Sequence, residues 1–389
     1  MTSASPASQL HWEFEGQPQS CLWRSENGSP APKKVVLADD RMSADTAYRL
    51  ACEGTALLWQ GDYHQARQML QALGRRMERK AVRKNTKTAV TTATTAATTD
   101  ITLSFHQHRQ AQAQRARILG MVLVPVTAEL SVPLRRAPEV RLALEQAGAT
   151  TGNAFALSLR ELLGIIGAYE WRRNGVDIPA LGGKIHPYYG VFSPIRGEYV
   201  DLVAKARLPV MDLAFDIGVG SGVLSAVLAK RGVQKIIATD QDPRALACAA
   251  ENLHNLGLAT QVELLQTDLF PPGKAGLIVC NPPWLPAKPS SAIEYAVYDP
   301  DSRMLRGFLA GVAAHLTAQG EAWLIMSDLA EHLGLRKPDE FWGWIEAAGL
   351  KVAGKMDIKP RHGKSVDVSD PLHAARAKEV TSLWRLTLQ

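Results

Sequence analysis

From Pro209 to the C-terminus, short apolar runs alternate with stretches whose apolar residues recur at helical spacing. The runs predict strands near residues 211–217, 235–239, 262–266, 276–280 and 321–327, with two more near 351–357 and 380–387. Amphipathic stretches at 242–256 and 302–316 predict intervening helices. Strands alternating with helices predict an α/β fold: a seven-stranded, doubly wound, Rossmann-like sheet, mainly parallel, with right-handed crossovers. Ligands of such sheets sit beyond the carboxyl ends of the strands, so the strand-ending residues carry the most information.

The first half reads differently. Residues 1–34 are polar and rich in Ser and Pro, and predict a loose tail. Ser43 is placed to cap a helical region that runs to Lys84, within which Ala56 to Leu70 predicts a helical hairpin. No second copy of that hairpin recurs, which argues against a repeat array. The Thr- and Ala-rich segment 86–102 predicts a flexible insertion. A buried strand is expected at 117–125 and helices at 138–147 and 158–174. Residues 35–182 thus predict a mainly helical accessory domain, followed by the α/β domain at 183–389.

The strand ends of the α/β domain carry chemistry. Asp216 ends the first apolar run, and Gly218, Gly220 and Gly222 follow it before an amphipathic helix. Glycines let a backbone turn tightly and approach a ligand closely. Asp240 ends the second run and is suited to two ribose hydroxyls; Asp268 ends the third and is suited to an adenine amino group. A nicotinamide-dinucleotide domain also places an acid about 20 residues beyond a glycine loop. That fingerprint requires a third glycine where Val223 stands. The Gly-x-Gly-x-Gly spacing instead favours S-adenosylmethionine, which has no pyrophosphate to cradle. The fourth run, Leu277-Ile278-Val279-Cys280, leads into Asn281-Pro282-Pro283-Trp284. Its Asn oxygen and a Pro carbonyl can both accept hydrogen bonds from one NH2 group, and the prolines hold them in place. The Trp284 ring offers a face for a planar group.

These motifs in this order resemble the class I S-adenosylmethionine-dependent methyltransferases. More narrowly, they resemble the small-domain group that holds release-factor glutamine methyltransferases and several ribosomal and transfer RNA base methyltransferases. The resemblance spans residues 183–389 and includes Gly190-Val191-Phe192-Ser193-Pro194, similar to the segment that closes over the cofactor in that group. It implies that Asp216 and Gly218 lie near the methionine moiety, Asp240 at the ribose and Asp268 at the adenine. Asn281 to Trp284 would then hold the nucleophile. Trp284 replaces the commoner Tyr or Phe, and residues 285–303 match no substrate-defining pattern. The acceptor is therefore open between an RNA base and a protein glutamine, with the first half presenting it.

Composition narrows the partners. The hydrophobic fraction of 46% and charged fraction of 21% are ordinary for a globular enzyme. No apolar run approaches the roughly 20 residues of a membrane span. The N-terminus does not read as a signal peptide. Cys21, Cys52, Cys248 and Cys280 lie far apart, which predicts a cytoplasmic protein without structural zinc; no His spacing suggests a metal. Residues 1–180 carry 22 Lys and Arg against 16 Asp and Glu, while the remainder balances at 22 of each. Arg75, Arg76, Arg79, Lys80, Arg83, Lys84 and Lys87 face only Glu78 within one helical stretch. Such a stripe attracts phosphate backbones, as of RNA or a ribosome, or simply solvates a helix.

Overall fold

The chain divides into two units, residues 1–100 with 106–169 and residues 101–105 with 170–389. The computed structural model describes residues 8–91, 101–195, 197–289, 294, 296–360, 367 and 370–389. The division falls inside a helix after Tyr169, earlier than the sequence pattern placed it.

The N-terminal unit is built on a sheet rather than on helices. Its six strands are β1 (Gln9–Phe14), β2 (Gln17–Trp23), β3 (Lys34–Ala38), β4 (Thr55–Trp59), β5 (Val122–Val126) and β6 (Phe155–Ser158), in the order β1-β2-β6-β5-β4-β3. The helices are α1 (Ala44–Cys52), α2 (Tyr63–Thr91), the greater part of α3 (Ile101–Leu119), α4 (Arg141–Gln146) and the start of α5 (Leu159–Asn174). Strands β3, β4 and β5 are parallel, so β3-α1-β4-α2 repeats the strand–helix alternation expected only of the second half.

Several expectations are corrected here. The supposed tail contains an antiparallel hairpin, β1 with β2, turned through Glu15 (φ 50°) and Gly16 (φ 73°). Both turn residues are left-handed, as a two-residue hairpin requires. The hairpin escaped notice because β1 is a polar strand at the sheet edge whose one fully buried residue is Leu10. The segment read as the first arm of a helical hairpin is β4, buried at all five residues. A run buried on both faces has no periodicity to separate strand from helix. Ser43 does cap α1, accepting from the Thr46 amide at 3.2 Å. The Thr/Ala-rich segment contributes the end of α2, to Thr91, and the start of α3, while residues 92–100 lie outside the described residues. Arg67, Arg75 and Arg79 are exposed on α2, and Arg76 pairs with Asp45 at 2.9 Å. The side chains of Lys80, Arg83, Lys84 and Lys87 lie outside the described residues.

The C-terminal unit contains a short β7 (Val176–Ile178) and β8 (Gly183–Ile185) pair and a seven-stranded sheet. The seven strands are β9 (Leu213–Ile217), β10 (Lys235–Asp240), β11 (Val262–Gln266), β12 (Ala275–Cys280), β13 (Leu316–Ser327), β14 (Leu350–Ile358) and β15 (Thr381–Leu388). Their order is β11-β10-β9-β12-β13-β15-β14, parallel except at β15, which runs antiparallel to both neighbours. Helices α6 (Glu198–Lys205), α7 (Val223–Lys230), α8 (Pro243–Asn255), α9 (Arg303–His315), α10 (Leu329–His332), α11 (Pro338–Ala347) and α12 (His373–Arg376) complete it.

Alternate residues of β12 serve opposite layers. Leu277 and Val279 join the core with α6 and α7, whereas Ile278 and Cys280 join the core with α9 and α11. A strand buried on both faces reads as the continuous apolar run seen in the sequence. Burying Phe215 and Phe308 completely stabilises this sandwich by about 2–3 kcal/mol each. Strand order reverses at β9, with β10 on one side and β12 on the other, so a crevice opens at its carboxyl end.

Candidate active site

Three strand ends meet at that crevice because register demands it. Ile217 pairs with Thr239 on one side and with Cys280 on the other. The residues that follow, Gly218, Asp240 and Asn281, therefore leave the sheet side by side. Gly218 and Val219 both donate backbone N–H to the Thr239 carbonyl, at 2.9 and 2.8 Å. Gly222 caps α7 at φ 83°, and a Cβ there would lie 3.2 Å from the Ala249 backbone of α8. Gly222 thus permits close packing of two helices. Gly220 is different: a Cβ built on it meets nothing within 4 Å and points into open space.

The acids differ in surroundings. Asp216 is buried and accepts from the Ser225 hydroxyl at 2.6 Å. Burial pushes its carboxyl up to about 6, despite the Ser225 hydrogen bonds, and nearby Asp240 adds to the rise. Asp240 is half-buried and accepts from the amides of Gly220 at 3.1 Å and Asp242 at 3.0 Å. Burial raises its pKa as well. It does not cap α8; Asp242 does, accepting from the Arg244 amide at 2.8 Å. Asp268 lies beyond β11, exposed, with Arg303 Nη2 at 2.6 Å and Gln241 Nε2 at 2.7 Å.

Asn281 is half-buried and Pro282 buried. The Trp284 indole N–H donates to Asn281 Oδ1 at 3.0 Å, and its half-buried side chain packs against both core clusters. A carbonyl oxygen has two lone pairs, so this bond orients the amide and leaves one acceptor position. Beyond Trp284 the chain returns: Leu285 N donates to the Val297 carbonyl at 3.1 Å, and Asp299 N to the Leu285 carbonyl at 2.8 Å. The buried Asp299 carboxylate accepts from the Met304 and Leu305 amides at 2.9 and 3.2 Å, starting α9.

Residues 184–336 match the family model for the methyltransferase small domain. This segment is similar to methyltransferase small domains. A release factor glutamine methyltransferase of Cereibacter sphaeroides is 32% identical over 195 residues, 46% of this chain and 65% of that protein. Another, of Caulobacter vibrioides, is 38% identical over 185 residues, 45% of this chain and 64% of that protein. A tRNA1(Val) (adenine(37)-N6)-methyltransferase of Shewanella amazonensis is 29% identical over 185 residues, 46% of this chain and 76% of that protein. The chain spans just under two thirds of the first two.

The segment before the seven-stranded sheet is fastened to α8. His186 N donates to Asn252 Oδ1 at 2.7 Å, and Asn252 Nδ2 donates to the Ser221 carbonyl in the glycine turn at 3.0 Å. Tyr188 donates to Glu251 at 2.5 Å beneath the Arg172 guanidinium, and Arg244 donates to the Tyr189 carbonyl at 3.2 Å. Tyr188 is thus a clasp residue. Phe192 packs against the core beside Tyr199, and the Ser193 hydroxyl is buried without a hydrogen-bond partner. Sequence reasoning missed Asn252, Ser225 and Gln241. Asn252 was detectable as a polar residue on the buried face of an amphipathic helix, four residues past Cys248.

Proposed function

We propose that the chain is an N-methyltransferase that takes its methyl group from S-adenosylmethionine and places it on the NH2 nitrogen of an RNA base. One observation carries the reading: Asn281 and the glycine turn follow residues paired across β12 and β9, so acceptor and donor sites adjoin. The open space at Gly220, the Asp240 carboxylate and the unpartnered Ser193 hydroxyl fit an adenosyl cofactor. Asp240 would hold the ribose hydroxyls and Asp268 the adenine amino group. Asp216 and Gly218 would flank the methionine moiety, with Phe192 on the segment that closes over it.

S-adenosylmethionine supplies a sulfonium-activated methyl group. The protein's part is to position a poor nucleophile. An exocyclic NH2 nitrogen delocalises its lone pair into the ring. Donation to Asn281 Oδ1 and the Pro282 carbonyl would draw the nitrogen toward a tetrahedral geometry with the lone pair facing the methyl group. Pro283 stiffens the turn. Trp284 stacks on the base and steadies Asn281 through its N–H. No strong base is needed, because the nitrogen becomes acidic once alkylated.

The basic excess of the first half favours RNA, with exposed Arg67, Arg75 and Arg79 on α2 placed to attract phosphates. Similarity to release factor glutamine methyltransferases supports a second reading, methylation of a protein glutamine amide, which the same acceptor pair would serve. Either substrate belongs to the cytoplasm. Incubating the protein and tritiated S-adenosylmethionine with lysate of a strain lacking it separates the two. Label should enter RNA, with transfer falling steeply as salt rises. Label in protein would install the second reading, and label in neither would sink both.

A further inference from the structure

The Asp268 carboxylate is already engaged. Arg303 Nη2 holds one oxygen at 2.6 Å and Gln241 Nε2 the other at 2.7 Å. Arg303 reaches it from the end of the chain segment that leaves Asn281–Trp284 and is pinned back to Leu285. That delivery uses strained backbone. Asp301 (φ 56°) and Ser302 (φ 53°) precede Arg303, and Leu269 (φ 64°) follows Asp268. Left-handed non-glycine residues persist only where their surroundings over-determine them. Here Asp299 does so by accepting from the Met304 and Leu305 amides.

We propose that Arg303 is a specificity-setting latch, a cation that competes with the adenine amino group for Asp268. The latch would couple arrival of the cofactor to the segment carrying the methyl acceptor site. This rests on the reading of Asp268 as the adenine-binding acid. An amino group donating to Asp268 must displace Arg303 or Gln241, or share an oxygen with one of them. Arg303 is the costlier competitor, being charged, and also the one whose release matters, because it begins α9 and ends the strained turn. The pair is half exposed, with side chains 64% and 49% accessible, so the competition is mild and reversible. Adenosyl binding then frees a guanidinium beside the acceptor cleft, where it can meet an anionic group of the substrate.

The test is calorimetric binding of S-adenosylhomocysteine to the full chain, with no methyl acceptor present. R303Q should bind about two- to fivefold more tightly than the unaltered protein at low ionic strength. Raising the salt should tighten binding to the unaltered protein, since salt weakens the latch, and leave R303Q unchanged. S-inosylhomocysteine, which lacks the amino group, should show no gain with R303Q. D268N should weaken adenosyl binding in either background. Equal or weaker binding by R303Q, with D268N still impaired, would overturn the latch and make Arg303 an ordinary wall of the pocket. Should D268N bind as well as the unaltered protein, Asp268 would not read adenine, and that failure would remove the latch at its root. The salt series needs no variant, so a folding defect in R303Q leaves the proposal exposed to refutation.

Discussion

Each unit has parallel strands joined by helices, yet their strand ends are finished in opposite ways. In the N-terminal unit the carboxyl ends of β3 and β4 are filled by the protein itself. A Cβ at Gly61 would lie 2.3 Å from Asp40 Oδ1, and the buried Asp62 carboxylate takes Arg136 at 2.6 and 2.8 Å and Arg135 at 3.1 Å. The Arg136 guanidinium holds the Asp62 carboxyl far below the usual range. At the matching edge of the C-terminal unit, Gly220 faces open space and burial raises both Asp216 and Asp240. The buried Asp62, satisfied by two arginines, belongs to a filled edge. Asp216 and Asp240, pushed up by burial beside an unfilled glycine, fit the proposed ligand site.

Removing the acceptor breaks the comparison most severely. Asn281→Ala should lower methyl transfer by 100-fold or more, about the loss seen when a positioned oxyanion-hole donor is removed. Binding of S-adenosylhomocysteine should stay within about twofold, since the glycine turn is untouched. A parallel fall in both would make Asn281 a folding residue. Filling the open space comes next. Gly220→Val should weaken cofactor binding by about 100-fold, with a stability loss of about 1–2 kcal/mol from the left-handed backbone. Unchanged affinity would show that the opening is not where the cofactor lies.

Asp216 tests the electrostatic half. Its folded pKa, about 6, lies above the ordinary value of 3.8, so its favourable contribution to stability is complete below pH 4. That contribution is lost as pH rises toward 6. Asp216→Asn cannot ionise, and its stability advantage over the unaltered protein should grow between pH 4 and 6 by about 1–3 kcal/mol, then level off. Urea denaturation at pH 4, 6 and 8 measures it. A flat difference would mean that Asp216 ionises freely in the crevice.

The legibility of the two units follows from the same contrast. All seven strands of the C-terminal sheet lie where apolar runs placed them, because strands buried on both faces and separated by amphipathic helices give two distinct periods. The strand-end residues Asp216, Asp240 and Asn281 were readable as neighbours once the strands were parallel and in order. What no sequence pattern announces is who bonds to whom. The Trp284 N–H reaching Asn281, Arg303 reaching Asp268 and Asn252 joining His186 to Ser221 are contacts between distant or turn-separated positions. In the N-terminal unit β4 carried no period at all, and the β1–β2 hairpin was hidden by its polar residues, since a sheet edge needs little burial.

The smallest expected effect is the sharpest control on the comparison. Gly61→Ala adds one methyl where Gly220→Val adds an isopropyl group, and it lands on a filled edge instead of an open one. The new Cβ cannot stay 2.3 Å from Asp40 Oδ1, so the Asp40 side chain must move. Its movement breaks the 2.9 Å bond from the Asp62 amide, at the start of α2. Overpacking of this kind costs about 1–3 kcal/mol. Thermal unfolding should therefore begin earlier, while S-adenosylhomocysteine binding stays unaltered. Should Gly61→Ala weaken the cofactor instead, the N-terminal edge would be contributing to the ligand site, and its arginine-locked acids could not be read as mere structure.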